Sequence, residues 1–192
     1  MPAGGSIPNV LRSLLPIAVG ATMLAAASAC TVVHVESPDP AAVPSGEPVA
    51  IGAEATGPVT ELGSGQAFEM GWRYVIYESA EGWCTELQMA ERNSTGCGSD
   101  LVPPEGEHLS APGAVARLEG GVTPGEGVVS EEIVTVWIID EKAGRIPATL
   151  MPLDEAGLEG QAFVGFMPPE GTPTHIQAVA INGEILATQE LP

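Results

Sequence analysis

Cysteine and histidine are the residues of this chain that could carry nucleophilic or metal chemistry. The chain has three of each: Cys30, Cys84 and Cys97, and His34, His108 and His175. Cys84 with His108 or His175 and an acid would make a thiol triad, but a thiol held in a disulfide cannot attack. The histidines lack the spacing or the cysteine partners of a zinc site. We therefore predict no catalytic residue, no metal site and no cofactor.

Paired carboxylates are the second group that could do chemistry. Three acid pairs stand at predicted strand ends and turns: Glu131-Glu132, Asp140-Glu141 and Asp154-Glu155. Ca²⁺ binds several carboxylate and carbonyl oxygens, yet none of these pairs has the spacing of a calcium loop. A G-x-S-x-G elbow, a phosphate-binding loop and an H-E-x-x-H motif are also missing from the sequence. Solvated acids are the simpler interpretation, and an enzyme is not predicted.

The strongly acidic composition limits the partners. Six Lys and Arg residues stand against 25 Asp and Glu residues, a formal charge of −19 that becomes −20 if Arg12 is removed with a signal peptide. Nucleic-acid binding draws on clustered Lys and Arg, so we predict no nucleic-acid partner. An anionic lipid surface would repel the domain as well. The acidic surface then serves solubility or meets a cationic partner.

Residues 1–29 predict a bacterial lipoprotein signal peptide. Arg12 supplies the positive region, and residues 14–29 form an uncharged run rich in Leu and Ala. The run is short for a membrane span, which needs about 20 apolar residues. Ala27-Ser28-Ala29-Cys30 resembles the lipobox, which implies lipid on Cys30, although Ala27 stands where Leu is expected. The same residues satisfy the ordinary small-x-small cleavage rule, which would leave the chain freely secreted.

The number of cysteines favours lipid on Cys30. If Cys30 is acylated, Cys84 and Cys97 remain as one disulfide pair, whereas plain secretion leaves an odd thiol outside the cell. The Cys84–Cys97 bond would close a loop of about 14 residues and stabilise the fold by about 3 kcal/mol in the chain-entropy model. We predict a protein on the outer face of the bacterial cytoplasmic membrane, attached by its N-terminal lipid.

Residues 30–65 predict a disordered tether rich in Pro, Ala, Gly and acidic residues. Prolines recur through it, and it has no aromatic residue. Because proline removes a hydrogen-bond donor and fixes φ, neither a helix nor a central strand is expected, although the residues near Val49 could dock as an edge strand. The tether would hold a folded domain, residues 66–192, clear of the membrane.

Alternating side chains predict that the domain is all-β. Trp72, Tyr74 and Ile76 share one parity, and a return run through Trp83 and Leu87 repeats the alternation. The two runs predict a hairpin, and the Cys84–Cys97 bond would hold the polar loop at residues 91–96 that follows it.

Later runs extend this pattern. Residues 133–140 are apolar on both parities, which predicts a central strand covered on both sides. Asn182-Gly183 lies between two alternating runs, which predicts a type I′ hairpin. Eight or nine short strands bounded by Gly and Pro predict one β-sandwich, immunoglobulin-like or related in topology. A division near Gly120-Gly121 into two subdomains is the alternative.

A set of short motifs carries a family resemblance. Residues 82–87 read GWCTEL, a polar loop leads to Gly96-Cys97-Gly98, and a V-x-V-rich strand and an N-G hairpin follow. This pattern resembles uncharacterised secreted proteins and lipoproteins of high-GC Gram-positive bacteria, over most of residues 72–191. The resemblance implies a β-sandwich and an envelope location, and it implies no activity.

We predict an interaction module that presents loops or a sheet edge to another envelope protein, to wall polymer or to a small ligand. The candidate interaction surface consists of Tyr77, Trp83, Arg92 and Asn93. Tyr77, Trp83 or Trp137 on a solvent face would form a contact patch, and full burial would assign them to the core. The alternatives are a passive structural or stress-protective lipoprotein and, third, a small-molecule or cation-binding domain or an enzyme.

Overall fold

The computed structural model describes residues 43–89, 92–99, 101–110 and 123–191. The predicted signal peptide, Cys30, the start of the predicted tether and the alternative boundary at Gly120-Gly121 lie outside these residues. Among the described residues, no helix is long and apolar enough to cross a membrane.

Twelve strands and one turn of 3₁₀ helix make up the described secondary structure, which confirms the all-β prediction. The strands are β1 Thr60–Ala67, β2 Met70–Ser79, β3 Gly82–Met89, β4 Arg92–Gly98, β5 Leu109–Ser110, β6 Thr123–Val129, β7 Ile133–Asp140, β8 Gly144–Pro147, β9 Thr149–Pro152, β10 Gln161–Met167, β11 Pro173–Ala180 and β12 Ile185–Glu190. The 3₁₀ turn is Asp154–Ala156. Strands as short as β5, β8 and β9 have too few residues to show a period, so the predicted number was too low.

The strands form three antiparallel sheets of four strands each. The N-terminal sheet is the meander β1-β2-β3-β4, the central sheet has the order β5-β6-β10-β9, and the C-terminal sheet has the order β12-β11-β7-β8. One apolar core joins the N-terminal and central sheets through residues such as Tyr74, Leu87 and Val164. A second core joins the central and C-terminal sheets through residues such as Phe163 and Ile138. The central sheet is therefore buried on both faces, in the middle of three layers.

The hairpin β2–β3 and its disulfide are confirmed. Tyr74 pairs with Leu87, as the alternation requires, and Cys84 pairs directly with Cys97 on β4 with the sulfur atoms bonded. The predicted polar loop at residues 91–96 is wrong, because residues 92–98 are the edge strand β4. Polar side chains are common on edge strands, where they discourage pairing with other chains.

Residues 43–59 cover the outer face of the N-terminal sheet, and we call them the strap. Its small inward side chains pack on the outer face of β2 and β3: Ala50, Ala53, Ala55 and Val59 against Val75, Tyr77 and Cys84. The tether predicted for residues 30–65 is therefore wrong from residue 43, since the strap is docked and β1 begins at Thr60. The strap pairs with the sheet at one isolated bridge, Ala55 with Ser79, and the residues near Val49, which could have docked as an edge strand, form no strand.

Strand β7 is buried on one side only, which corrects the prediction that both sides are covered. Ile133, Val136 and Ile138 belong to the second core, whereas Val134 is exposed and Trp137 is half-buried. An apolar strand face is thus left at the surface of the C-terminal sheet.

Candidate functional site

The outer face of the C-terminal sheet is the candidate site, because its side chains belong to neither core. Cross-strand pairing arranges them in rows that run from β12 through β11 and β7 to β8. The first row is Ile185, Val179 and Thr135; the second is Thr188, Gln177, Trp137 and Pro147; the third is Glu190, His175, Ile139 and Arg145. The face is thus apolar at one end, has an indole in the middle and carries charge at the other end.

The polar neighbours of Trp137 are fixed by hydrogen bonds. Thr174 Oγ1 donates to the carbonyl oxygen of Ile139 at 3.2 Å, so it accepts from His175 Nδ1 at 2.9 Å. His175 Nε2 then accepts from Gln177 Nε2 at 3.3 Å. In this arrangement Nδ1 of His175 is the donor and Nε2 is the acceptor. The indole of Trp137 lies beside two polar side chains that hydrogen bonds already hold in place. A partner can cover such a surface with little further loss of side-chain conformational entropy.

Four side chains form what we call the apolar end of this face: Val134, Val179, Ile181 and Ile185. Val134 is 48% exposed, Ile181 87% and Ile185 45%. Val179 pairs with Ile185, and Val134 stands where the register between β7 and β11 is irregular. Exposed apolar residues that gather in one place mark interaction sites more often than isolated ones do.

The β11–β12 turn carries Ile181 and differs from the predicted type. Gly183 has a φ of 85°, while Asn182 is not among the non-glycine residues with positive φ. A type I′ turn needs positive φ at both central residues, so that prediction is wrong, although the hairpin itself is confirmed. The loop between β11 and β12 has four residues, 181–184, and within it Asn182 Oδ1 accepts the amide of Glu184 at 2.9 Å while Ile181 is exposed.

The four residues predicted as an interaction surface do not form one surface. Tyr77 is fully buried under the strap, so its assignment to a surface is wrong. Trp83 is half-buried and packs against the first core. Asn93 is exposed on β4, and Arg92 begins that strand, with its side chain outside the description. The outer face with Trp137 replaces them as the candidate site.

A buried polar cluster beneath the strap was not foreseen. Glu86 is fully buried, and its carboxylate accepts the amides of Ile51 at 3.1 Å and Gly52 at 2.9 Å and the Tyr77 hydroxyl at 2.9 Å. Burial and the bond to Glu86 raise the pKa of Tyr77 to about 12, so the phenol remains a donor at neutral pH. Gln88 Nε2 adds a bond to Glu86 Oε1 at 2.9 Å.

Two further side chains extend this cluster along the strap. Gln88 Nε2 donates to the carbonyl oxygen of Val49 at 2.6 Å. The Arg73 guanidinium donates to the carbonyl oxygens of Pro44 and Gly46 and lies 3.0 Å from a Glu61 carboxylate oxygen. Most of these hydrogen bonds are made with main-chain atoms of the strap. We therefore infer that the cluster holds the strap on the N-terminal sheet.

A second buried carboxyl, Glu126 of β6, lies between the N-terminal and central sheets. It is 5% exposed, and one oxygen accepts a hydrogen bond from Ser94 Oγ. Burial raises the pKa of Glu126 to about 7. The nearby Tyr74 hydroxyl, itself buried, has a pKa raised by burial and by Glu126. The glycines on both sides of Glu126 show no apolar alternation in the sequence, so the pattern does not indicate which face of the strand Glu126 occupies.

The acid pairs have local roles in the structure. Asp140 Oδ1 accepts the amides of Lys142 at 2.8 Å and Ala143 at 2.7 Å; burial opposes ionisation, but these bonds prevail and lower the pKa of Asp140. His108 Nδ1 lies 3.1 Å from a Glu132 carboxylate oxygen. Within residues 43–89, 92–99, 101–110 and 123–191, no three His, Cys, Asp or Glu residues are grouped to hold a metal ion.

Comparisons with known proteins provide no information about the outer face of the C-terminal sheet, so its interpretation rests on its geometry. The chain matches no protein-family model, no curated protein and no solved structure.

Proposed function

We propose that this protein is a lipid-anchored module of the bacterial envelope that binds a partner protein through the outer face of the C-terminal sheet. The observation that carries the proposal is the exposed apolar side of that sheet. An antiparallel sheet that faces water on one side normally presents polar residues there. Here Val134 and Ile185 are about half exposed, and Trp137 is half-buried in the same face.

A protein fits this face better than a wall polymer does. A glycan presents hydroxyl groups that need hydrogen-bond partners when they lose water. The side chains of Val134, Val179, Ile181 and Ile185 offer none. Protein interfaces, by contrast, bury apolar and aromatic side chains at their centre and leave polar groups at the rim.

The proposed attachment is a lipid on Cys30, with the protein on the outer face of the cytoplasmic membrane. The strap lies on the N-terminal sheet, which is the layer on the opposite side of the central sheet from the C-terminal sheet. The roughly 13 residues from Cys30 to the strap span at most about 45 Å. A chain attached on the side of the strap would leave the outer face of the C-terminal sheet free to meet a partner.

Photocrosslinking in intact cells tests the binding function. A photoreactive side chain at position 137 or 185 of the full chain should give a discrete adduct with another protein. The same group at position 155, in the exposed 3₁₀ turn, should give none. An adduct from position 155 alone would refute this face as the site, and no adduct from any position would favour the passive lipoprotein.

Intact mass tests the anchor independently. Protein purified from its native membrane fraction should begin at Cys30, carry added acyl chains and take up two alkyl groups only after reduction. A chain without lipid would overturn the anchor and leave the binding face untouched.

A further inference from the structure

We infer that the partner is a protein whose contact surface places apolar side chains among Lys and Arg residues, and that it docks on the apolar end. This inference rests on the proposed function. The carboxylates beside the apolar end determine which kind of partner surface can bind there.

Carboxylates border the apolar end on both of its strand connections. Glu131 lies two residues before β7 and Glu184 lies immediately before β12, and both are exposed. Glu132 also precedes β7, but it is paired with His108. Val134 lies three residues after Glu131, and Ile185 directly follows Glu184. A partner that covers the apolar end must therefore bring groups that compensate these charges at the rim, where Lys and Arg keep part of their hydration.

A second copy of the chain is the wrong occupant. Two copies meeting apolar end to apolar end would set Glu131 and Glu184 of one near those of the other, within chains of formal charge −19. Anionic lipid and nucleic acid are repelled for the same reason. A cationic protein is attracted at long range and held at short range by the apolar contact.

The opposite end of the outer face carries charges of both signs, because Arg145 shares a row with Glu190 and Lys142 follows Glu141 in the β7–β8 turn. Arg145 is exposed on β8, and Lys142 lies in the β7–β8 turn, where its ammonium group donates to the carbonyl oxygen of Glu170 at 3.3 Å. A partner with Lys and Arg next to its apolar side chains would bind with these groups beside Glu131 and Glu184.

Binding of two synthetic peptides to the purified full chain tests this inference. Both peptides carry the same leucines, flanked by lysines in one and by glutamates in the other, and affinity is read by fluorescence anisotropy. We expect the lysine peptide to bind and the glutamate peptide not to bind. The double variant Ile181→Ser/Ile185→Ser should weaken binding of the lysine peptide at least tenfold, because both side chains are exposed and their loss leaves the cores intact.

Charge variants distinguish the effect of the carboxylates beside the apolar end from the attraction of the whole acidic chain for a cationic peptide. Glu131→Gln/Glu184→Gln should weaken the lysine peptide severalfold at low salt and much less at high salt. Asp154→Asn/Glu155→Gln removes the same charge from the exposed 3₁₀ turn and should change the affinity less than twofold. Equal losses in the two charge variants, or no loss with Ile181→Ser/Ile185→Ser, would overturn the inference.

The cellular experiment keeps this inference distinct from the proposed function. A photoreactive group at position 181 that captures a protein with a neutral or acidic contact surface would overturn the inference and leave the function standing. No adduct from positions 137, 181 and 185 would overturn both.

Discussion

The carboxylate of Glu86 accepts a hydrogen bond from the main-chain amide of Gly52 at 2.9 Å, across 34 positions of the chain. A fully buried carboxylate is tolerated only where donors replace the water it has lost. Strap amides supply part of that replacement, so the strap and the N-terminal sheet depend on each other. The strap is for this reason a part of the folded domain.

Replacing Glu86 should loosen the strap and destabilise the fold. Glu86→Ala leaves the amides of Ile51 and Gly52 without their acceptor, and we expect the free energy of unfolding to fall by about 3 kcal/mol. Urea denaturation measures the loss, and hydrogen exchange should show faster exchange at those two amides. Glu78→Gln changes an exposed side chain of β2 and should stay within about 0.5 kcal/mol of the native chain. Unchanged exchange at both amides in Glu86→Ala would contradict the assignment.

Gly52 is required because the strap passes very close to β4. A Cβ at position 52 would lie 2.6 Å from Thr95 Cβ, whereas one at Gly57 would meet no atom within 4 Å. Gly52→Ala should therefore lower the thermal midpoint, and Gly57→Ala should not. Thr95→Gly in the Gly52→Ala background should restore part of the loss. Equal midpoints for the two single variants would show that the strap can lift away from β4 without cost.

The hairpin and its disulfide could be predicted because their determinants are local. Side chains alternate along each of the two runs that flank the turn, and with Cys30 assigned to the lipid the two remaining cysteines leave one pairing. The site of the β11–β12 turn was also visible in Asn182-Gly183. Its type was not, since the extra residues of the loop change the backbone conformation without changing the pattern.

The strap and the candidate site could not be predicted from local pattern. The strap is held by side chains such as Arg73 and Glu86, which form hydrogen bonds with its main chain. Every residue has a main chain, so this kind of contact produces no periodic pattern of side chains in the strap sequence. The sequence of strand β7 is apolar on both faces, and it would read the same whether the second face were covered by another sheet of this chain or by a partner protein. Only the stacking of the three sheets shows that no sheet of the described residues covers that face.

The β1–β2 turn holds two bulky residues in a backbone conformation that favours glycine. Phe68 has a φ of 48° and Glu69 of 68°, and the turn joins Ala67 to its partner Met70. Phe68→Asn/Glu69→Gly supplies a residue pair suited to such a turn, so we expect stabilisation of about 1–2 kcal/mol. Thermal unfolding measures it. Phe68→Ala removes the ring alone and should bring no gain, and a double variant no more stable than the native chain would contradict strain at this turn.

Glu126 should make the contact between the N-terminal and central sheets depend on pH. Burial raises the pKa of Glu126 from an ordinary 4.5 to about 7 in the folded chain. The folded state therefore binds a proton on the Glu126 carboxyl more tightly than the unfolded state does. The resulting stabilisation is fully present below pH 4.5, declines as pH rises and is lost above about 7, and its full size is about 3 kcal/mol.

Urea unfolding at intervals from pH 5 to pH 8 measures this dependence. The native chain should lose stability across that range, whereas Glu126→Gln, which stays neutral and can still accept from Ser94, should lose much less. Glu131→Gln removes an exposed carboxyl and should keep the native slope. The lowered pKa of Asp140 acts in the opposite direction and at more acid pH, because its stabilisation is lost only as pH falls below the ordinary value of 3.8. If Glu126→Gln and the native chain share the same slope from pH 5 to pH 8, Glu126 is ionised in the fold throughout, and the two sheets are joined by a charged hydrogen bond to Ser94.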